Sequence, residues 1–568
     1  MSASIQIRVY TNSDDAFVAW APDGPIAGCR GFKLERKRKQ GSKEITEVVE
    51  NRVGFKKDKP KSGEHRPSDA WPFQRFNWTD HVVDVGAQVR YRVTAMLGTA
   101  AGRPFKAGPA SDWTPWARLT PDAGNGLSCF FNRGLVLSQF VARYLKEKKL
   151  TPAKFKAQLK TSTDPKFRRF LMGDLGGQVF SMLKAAKDAG TERHAALYEL
   201  GDKALEDGLI ALGAHLHLIL ANGSDKTGDG NADARAHLNG AGIQTINRML
   251  GSKGLGHNKF TVSSSGAGTP EAAWTGSTNW STTGLCTQIN NGLLIQDVNV
   301  ARLYLDQWNR LKDASPPALP QADFPPALMA SNDVPHTLTV GGARVEVWFT
   351  RTSDGRDMAA LRDVITSAKH AILFLMFTPG ANGLHTLAGR RANEKGMYVR
   401  GVVSTLGTSK EDNEKNVLDV SLVTSGKTLK PDHYTVVQPQ GVDGPIGPWI
   451  AEVTRRDFLS QVGHAIVHSK VLVIDPFSAD PVVVTGSHNF SDSASKNNDE
   501  NFVIVRGHKG LAEKYAVHAM SVYAHYRWRS YIRETLAAGK TPWSYLDDND
   551  TWLMDELKSK KLEIEFWA

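Results

Sequence analysis

The stretch that decides the fold occurs twice. It reads HNKFTVSSSGAGTPEAAWTGSTNWS over residues 257–281 and HSKVLVIDPFSADPVVVTGSHNFS over residues 468–491. Each copy opens on His-x-Lys and then carries Gly-Ser-x-Asn, with 22 positions from the His to the Asn in the first copy and 21 in the second. A single His-x-Lys is uninformative, because such neighbours are common on protein surfaces. Two copies in the same register indicate an internal duplication.

The residue types in the repeat fit the cleavage of a phosphodiester. Residues two apart on a strand point to the same face, so each His shares a face with its Lys. Pairing of the two copies would bring two imidazoles and two ammonium groups together, with amide and hydroxyl donors for the phosphate oxygens. One His can attack phosphorus while the other donates a proton to the leaving oxygen. The candidate residues are His257, Lys259, Ser277 and Asn279 in the first copy and His468, Lys470, Ser487 and Asn489 in the second.

These paired HxKx4D and GSxN motifs resemble those of the phospholipase D superfamily, and the resemblance covers residues 125–540. It implies an α/β fold of two lobes related by a pseudo-twofold axis. It also implies a covalent phosphohistidine intermediate, resolved by water or an alcohol, and no required metal or other cofactor. The sequence agrees with the last point, since it has no HExxH motif and no cluster of Cys and His.

The second copy carries two acids that the first lacks. Asp475 stands at the family's Asp position, and Glu500 stands where the family places an acid that orients a catalytic histidine, eleven positions after Asn489. The first copy has Ser264 and Asn290 instead. Because a carboxylate fixes the tautomer of an imidazole and raises its basicity, the two histidines should differ in basicity.

The roles within the pair are open at this point. The family's usual order makes His257 the nucleophile and His468 the acid, whereas the acid-rich second copy permits the reverse. A degenerate, inactive pair is a further alternative. Several supporting residues could equally serve as turn formers, caps or braces within one lobe. These residues are Gly276, Ser277, Asp475, Gly486 and Ser487.

The first part of the chain predicts a separate domain. Residues 1–120 alternate apolar and polar positions between Gly, Pro and Asp turns, which favours a small all-β sandwich. The alternation of Tyr91, Val93 and Ala95 resembles the penultimate strand of a fibronectin type III domain, with another sandwich as the alternative.

The remainder predicts two lobes and their connections. Residues 125–312 and 341–540 combine helices with short apolar strands, and we expect each segment to form one lobe. The Pro-rich segment 313–340 is expected to be a linker without a regular helix or central strand. Residues 541–568 are expected to be a C-terminal tail packed on the second lobe.

Composition limits the partners. The net charge of +11 favours a polyanion, and the basic residues of segment 33–61 are expected in a long loop that could contact an anionic surface. Three scattered cysteines cannot form a disulfide framework.

No signal peptide and no transmembrane span are visible, so we expect a protein that is cytoplasmic as made, with non-classical export as an alternative. A monomer is expected.

The substrate stays open between two classes. The first is a phospholipid, through headgroup hydrolysis or transphosphatidylation. The second is a nucleic acid, which the net charge and the partly degenerate first copy favour, a pattern that also resembles tyrosyl-DNA phosphodiesterases. A lipid enzyme should have an apolar rim and a nuclease a basic groove. A third, non-enzymatic alternative is a binding scaffold, which requires that the His and Lys pairs do not converge.

Overall fold

The structure is a computed structural model. It describes residues 4–61, 63–81, 85–99, 102–134, 148–149, 154, 165–223, 228–250, 254–315, 325–380, 383–404, 435–437 and 467–568.

The N-terminal part is an all-β region of antiparallel sheets. Its strands are β1 (Ile5–Thr11), β2 (Ala16–Pro22), β3 (Cys29–Gln40), β4 (Lys43–Val48), β5 (Glu50–Asn51), β6 (Arg66–Pro67), β7 (Asn77–Asp80), β8 (Gln88–Thr99), β9 (Gly102–Ala110) and β10 (Ala117–Arg118). The two larger sheets have the orders β1-β2-β7 and β10-β8-β3-β4, with β9 also paired to β8, and β5 and β6 form a separate two-stranded sheet. Apolar residues of β2, β3 and β8 share one core between the two sheets. Tyr91, Val93 and Ala95 are buried there.

Each lobe is built on a mixed sheet. The strands of the first lobe are β11 (Asp122–Gly124), β12 (Leu127–Phe131), β13 (Arg193–Leu197), β14 (Leu200–Gly201), β15 (Leu216–Ala221), β16 (Thr245–Arg248), β17 (Lys259–Ser264), β18 (Pro270–Gly276), β19 (Trp280–Ser281) and β20 (Asn291–Ile295). The strands of the second lobe are β21 (His336–Val340), β22 (Ala343–Phe349), β23 (Ala371–Met376), β24 (Tyr398–Val403), β25 (Val436–Val437), β26 (Val471–Ile474), β27 (Val482–Gly486) and β28 (Asn501–Arg506).

Helices cover these sheets. Those of the first lobe are α1 (Pro165–Ala189), α2 (Lys203–Ile210), α3 (Ala232–Gly240), α4 (Thr282–Cys286) and α5 (Val298–Asp313). The later ones are α6 (Pro326–Asn332), α7 (Arg356–Thr366), α8 (Leu384–Arg391), α9 (Asp492–Asn497), α10 (Lys509–Ala537), α11 (Thr551–Ser559) and α12 (Lys561–Trp567), and short 3-10 turns lie at Lys56–Asp58 and Gly213–His215.

The two lobes repeat one topology. The strand order is β11-β12-β20-β18-β17-β13-β15-β16 in the first sheet and β21-β22-β28-β27-β26-β23-β24-β25 in the second. In the first sheet β13, β15 and β16 are parallel, and β13 pairs antiparallel with β17. In the second sheet β23, β24 and β25 are parallel, and β23 pairs antiparallel with β26. The expected fold class is therefore confirmed: a two-lobed α/β fold with a pseudo-twofold repeat, preceded by an all-β region.

Apolar burial joins the lobes. One continuous core contains side chains from both large sheets and from α5 and α10, which lie between them. A second core lies under α1 and α2 on the outside of the first sheet, and a third lies under α7 and α8 on the outside of the second. This layering buries both faces of each sheet, which explains the continuous apolar runs of its central strands.

Three expectations need correction. The basic segment 33–40 lies in strand β3 rather than in a loop, because Leu34 is buried in the core and the charges of Lys33 and Arg36 are paired with glutamates. The linker 313–340 contains helix α6, since Pro326 occupies a first-turn position where its missing N–H costs nothing, and edge strand β21. The tail 541–568 packs on the all-β region as well as on the second lobe, through Trp552 and Trp567.

The described residues contain no helix that is long and apolar enough to cross a membrane. The three cysteines are buried and free.

Candidate active site

The two His-x-Lys segments enter their sheets at equivalent strands. Lys259 is the first residue of β17, and Lys470 immediately precedes β26. Each lysine turns back on its own segment: Lys259 Nζ donates to the carbonyl of His257 at 2.8 Å, and Lys470 Nζ donates to the carbonyl of His468 at 2.7 Å. These bonds fix each ammonium group beside its histidine.

Each histidine is held by the opposite lobe. His257 Nδ1 lies 2.7 Å from Glu500 Oε2, and His468 Nδ1 lies 2.9 Å from Asn290 Oδ1. All four side chains are at least 96% buried. Because both bonds use Nδ1, Nε2 is the ring nitrogen that each histidine can present to a substrate.

The backbone joins the lobes at the same place. The amide of His468 donates to the carbonyl of Ile289 at 2.9 Å, and the amide of Asp499 donates to the carbonyl of Leu255 at 2.8 Å. The two histidines therefore lie at the seam between the lobes.

Ser277 and Ser487 support these partners. Ser277 Oγ donates to Asn290 Oδ1 at 2.8 Å, and Ser487 Oγ donates to Glu500 Oε2 at 2.8 Å. Each serine thus acts on the group that orients a histidine. The sequence allowed either phosphate binding or support for both residues, and this geometry is that of support.

A reciprocal polar network surrounds the histidines. Thr275 Oγ1 donates to Asn501 Oδ1 at 2.5 Å, and Asn291 Nδ2 donates to Thr485 Oγ1 at 2.7 Å. Two helix tyrosines complete it, since Tyr304 bonds Asn501 and Tyr515 bonds Asn291, each at 3.1 Å. Each bond from one lobe has its counterpart from the other, so the pseudo-twofold axis runs through the site.

Two aromatic residues, Tyr198 and Phe377, line the site, and motif matching missed both. Tyr198 follows β13 and lies edge-on to His257 with ring centroids 4.6 Å apart, and Lys259 Nζ lies 4.9 Å from its ring centroid. Phe377 follows β23 and lies 4.8 Å from the His468 ring, with Lys470 Nζ at 5.0 Å. The available signal was the aromatic residue directly after an equivalent apolar strand in each lobe.

The two asparagines of the Gly-Ser-x-Asn segments differ in their surroundings. Asn279 Nδ2 donates to Glu199 Oε2 at 2.6 Å. The Oδ1 atoms of Asn279 and Asn489 are buried without a hydrogen-bond partner among the described residues. The position after Phe377 that corresponds to Glu199 is Thr378. Glu199 lies outside both motifs, so their spacing does not point to it.

Burial dominates the electrostatics of the first half-site. It lowers the pKa of His257 to about 4, against the opposing effect of the Glu500 carboxylate. It also lowers the pKa of Lys259 to about 7, although Glu500 and Glu199 favour the charged form. Burial raises the pKa of Glu500. The positive charges of His257, His488 and Lys259 and the hydrogen bond from His257 outweigh this effect of burial and leave the pKa of Glu500 below its usual range.

The pKa values of the second half-site are lowered as well. Burial, together with the ammonium groups of Lys470 and Lys259, holds the pKa of His468 well below its ordinary value. Burial and Lys259 do the same for the pKa of Lys470. Four groups that can carry positive charge thus lie together in a buried site. This arrangement is suited to an anion, whose charge would restore their protonation.

Asp475 lies away from this cluster. It has a positive φ of 47° after β26, and its carboxylate accepts the backbone amides of Lys369, His370 and Ala371 at 2.7–2.8 Å. It therefore braces the start of β23 within its own lobe. At the equivalent end of β17, the backbone amide of Ser264 donates to the carbonyl of Glu192. No group of three or more His, Cys, Asp and Glu side chains in the described part of the chain could hold a metal ion.

Comparison with known proteins gives one family match. A family model described as cardiolipin synthase, PLD-like domain, matches residues 361–522. No curated protein matches the chain.

Solved structures that match parts of the chain include Nuc, a phospholipase D family member from Salmonella typhimurium, with 19% identity over 32% of this chain and 95% of that chain and a TM-score of 0.23. Phosphatidylserine synthase from Haemophilus influenzae Rd KW20 has 10% identity over 73% of this chain and 93% of that chain, with a TM-score of 0.43. NucT from Helicobacter pylori has 16% identity over 32% and 97%, with a TM-score of 0.23. At these values the similarity to solved structures carries no functional information.

The matched segment 361–522 contains His468, Lys470, Asn489 and Glu500. The first lobe repeats its strand order and supplies the partner of His468. The match to the PLD-like model thus falls on the second lobe, which is the lobe that carries the complete motif.

Proposed function

We propose that this protein is a metal-independent phosphodiesterase of the phospholipase D type that cleaves its substrate through a phosphohistidine intermediate. The observation that carries the proposal is the reciprocal pairing of the histidines, His257 with Glu500 and His468 with Asn290. Two imidazoles held by Nδ1 at one seam, beside two lysines and two asparagines, supply a nucleophile, a general acid and donors for the phosphate oxygens.

His257 is the nucleophile in this proposal. Its Nε2 attacks phosphorus as the neutral base, while Nδ1–H donates to Glu500, which stabilises the positive charge that the ring acquires as the N–P bond forms. His468, protonated, donates its Nε2 proton to the leaving alkoxide as the P–O bond breaks. Lys259, Lys470 and the asparagine amides hold the non-bridging oxygens.

The second step reverses the first. His468 is now neutral and takes a proton from water or from an acceptor alcohol, whose oxygen attacks phosphorus. The P–N bond to His257 breaks, and the phosphoryl product leaves with His468 again protonated. Both substitutions use the same two groups, which agrees with the near-twofold symmetry of the site.

The Glu500 carboxylate supports the assignment of His257 as the nucleophile. Its partner, His257, gains more from a negative neighbour than His468 gains from the neutral Asn290, because the phosphohistidine carries positive charge on the ring. When a reaction with substrate radiolabelled at phosphorus is quenched with detergent at alkaline pH, where the P–N bond of a phosphohistidine is stable, the label should therefore be found on His257. Label on His468 would require the reverse assignment.

A phospholipid is the preferred substrate, with headgroup hydrolysis or transphosphatidylation as the reaction. The match of residues 361–522 to a cardiolipin synthase PLD-like model supports this choice. Nucleic acid is the second candidate, which the net charge of +11 favours.

The test is a side-by-side assay with a chelator present. Purified protein is incubated with mixed phospholipid vesicles and with single- and double-stranded DNA, and His257→Ala and His468→Ala serve as blanks whose folding is checked by circular dichroism. We expect headgroup release that both variants lack, with phosphatidyl transfer if a primary alcohol is added. DNA cleavage that both variants lack, without lipid turnover, would make the protein a nuclease. Near-full activity in either variant would exclude the two-histidine mechanism, and loss of activity with chelator would exclude a metal-independent reaction.

A further inference from the structure

Besides Glu500 and its counterpart Asn290, the two half-sites differ in a second charged residue. After the equivalent strands β13 and β23, the first lobe has Tyr198 and Glu199, whereas the second has Phe377 and Thr378. The aromatic residues have the same place against histidine and lysine. Glu199 has no acidic counterpart, so its role is not that of maintaining the symmetric core.

Glu199 lies at the phosphate-binding cluster. Its Oε2 accepts from Asn279 Nδ2 at 2.6 Å, and its charge acts on both Lys259 and Lys470. The carboxylate is partly exposed, in contrast to the fully buried Glu500. A negative group here opposes the binding of a bare phosphate, and it would repel the flanking phosphates of a nucleic acid.

The surroundings of Asn279 indicate independently that a bound ligand would carry a hydrogen-bond donor at this point. The carboxylate fixes the orientation of its amide, since the reverse orientation would place Oδ1 against Glu199. Oδ1 is then a buried acceptor, in a side chain that is 4% exposed, and no described residue donates to it. Buried acceptors without a partner are costly, so a ligand donor at this point would be stabilising. Asn489 Oδ1 also lacks a hydrogen-bond partner among the described residues, but the position that corresponds to Glu199 in its lobe is the neutral Thr378.

We infer that Glu199 and Asn279 Oδ1 together receive a primary ammonium group on one alcohol of the substrate, so that Glu199 determines specificity. This inference rests on the proposed phospholipase D-type function and names its substrate class: phosphodiesters of amino alcohols, such as an ethanolamine headgroup. The ammonium supplies N–H donors to both acceptors and neutralises the carboxylate. A quaternary ammonium has no N–H, and an alkyl headgroup has neither a donor nor a charge. Neither can therefore donate a hydrogen bond to Glu199 and Asn279 Oδ1.

The test uses three short-chain phospholipids that share one diacylglycerol and differ only in the headgroup: ethanolamine, choline and propanol. Phosphatidic acid formation gives kcat/KM for each. The variant is Glu199→Gln, which keeps an acceptor for Asn279 Nδ2 and removes the charge. Thr378→Val, at the equivalent position of the other lobe, is the matched control.

We expect the wild-type protein to prefer the ethanolamine lipid over the propanol lipid by at least about tenfold, the usual effect of one charge-assisted hydrogen bond. Glu199→Gln should remove most of this ratio, and Thr378→Val should retain it. If Glu199→Gln lowers kcat/KM equally for all three lipids, Glu199 only positions Asn279 and the inference is overturned. An unchanged ratio overturns it as well. If the wild-type protein turns over none of the lipids, the proposed lipid function itself fails, and the inference fails with it.

Discussion

Asn290 and Glu500 occupy equivalent positions but differ in charge, and their neighbours account for the difference. Asn290 Nδ2 donates to the carbonyl of Gly284 at 2.9 Å, a contact that a carboxylate oxygen could not make. Glu500 Oε1 instead accepts from Asn498 Nδ2 at 3.1 Å. The unequal basicity of the two histidines is therefore built into the hydrogen-bonding pattern of each lobe.

The sequence predicted this residue-level asymmetry but not its geometry. Motif spacing identified Asn290 and Glu500 as counterparts, whereas nothing in it shows that each bonds the histidine of the other lobe. Tyr198, Phe377 and Glu199 lie outside the motifs, and their approach to the site depends on the pairing of strands far apart in the chain. Such contacts cannot be read from local spacing.

The lowered pKa values at the site predict uptake of protons when an anion binds. Lys259 has a pKa of about 7 in the free protein, and the pKa values of Lys470 and His468 lie well below their ordinary values. A bound anion favours the charged forms and raises all three. Sulfate binding at pH 7.5, followed by calorimetry in two buffers of different ionisation enthalpy, should therefore show net proton uptake. Lys259→Gln should reduce the uptake, and proton release would contradict this account of the site.

The same values set the pH dependence of kcat/KM, which reports the free protein. His257 must be neutral to attack, and its pKa of about 4 places the acid limb there, with activity lost as the pH falls through that value. His468 and Lys259 must both be protonated. The pKa of His468 lies well below its ordinary value and that of Lys259 is about 7, so activity should already fall as the pH approaches 7 and be lost above it. A profile that stays flat up to pH 9 would show that neither group needs its proton in the free protein.

At the scale of the element, the ends of β18 and β27 need glycine because two strands approach closely there. A Cβ on Gly486 would lie 2.2 Å from the carbonyl oxygen of Asn501 and 2.5 Å from the Cα of Phe502. On Gly276 it would lie 2.3 Å from the carbonyl oxygen of Asn291. This closeness lets Ser277 and Ser487 reach the residues that hold the histidines.

Gly486→Ala should therefore damage both stability and activity. Separation of β27 from β28 costs about 1–3 kcal/mol as an overpacking effect, and a shift of about 1 Å at Glu500 can lower kcat about 100-fold. The free energy of unfolding from urea titration and kcat on the preferred substrate measure the two effects. Gly177→Ala is the control, because this exposed position in α1 has open space for a Cβ. Equal behaviour of the two variants would show that the close approach is unimportant.

The strand over residues 33–40 was not predicted from the sequence, because most of its residues are charged. The basic segment 33–40 looked like a solvated loop, yet β3 presents its lysines to partners on neighbouring strands and turns. Lys37 Nζ lies 4.9 Å from the Trp113 ring centroid, and Lys39 Nζ lies 4.6 Å from that of Trp116. Glu35 and Glu47 pair with other cations of the sheet. These compensating partners are distant in sequence, so the charge run alone could not reveal them.

At the scale of the whole molecule, the lobes and the all-β region are joined by buried contacts distant in sequence. Arg248 at the end of β16 pairs with Asp499 of the second lobe at 2.8 Å, and both side chains are nearly fully buried. The pairing of the two copies was predictable from the repeat, whereas the packing of α5 and α10 into the core between the two sheets was not. The place of the C-terminal tail was not predictable, since a short amphipathic helix can pack on either surface.

Trp567 joins the all-β region to the second lobe. Its ring centroid lies 4.4 Å from that of Phe17, Tyr10 OH donates to its carbonyl at 3.0 Å, and its Nε1 donates to Tyr398 OH at 3.2 Å. Trp567→Ala should lower the free energy of unfolding by about 3–5 kcal/mol, the usual cost of truncating a buried Trp. Urea denaturation measures it, with Leu562→Ala on the exposed side of α12 as the control, expected to cost less than about 0.5 kcal/mol. Because Trp567 does not contact the histidines, kcat at low temperature should remain unchanged. A loss of kcat without a loss of stability would instead mean that the tail acts on the site directly.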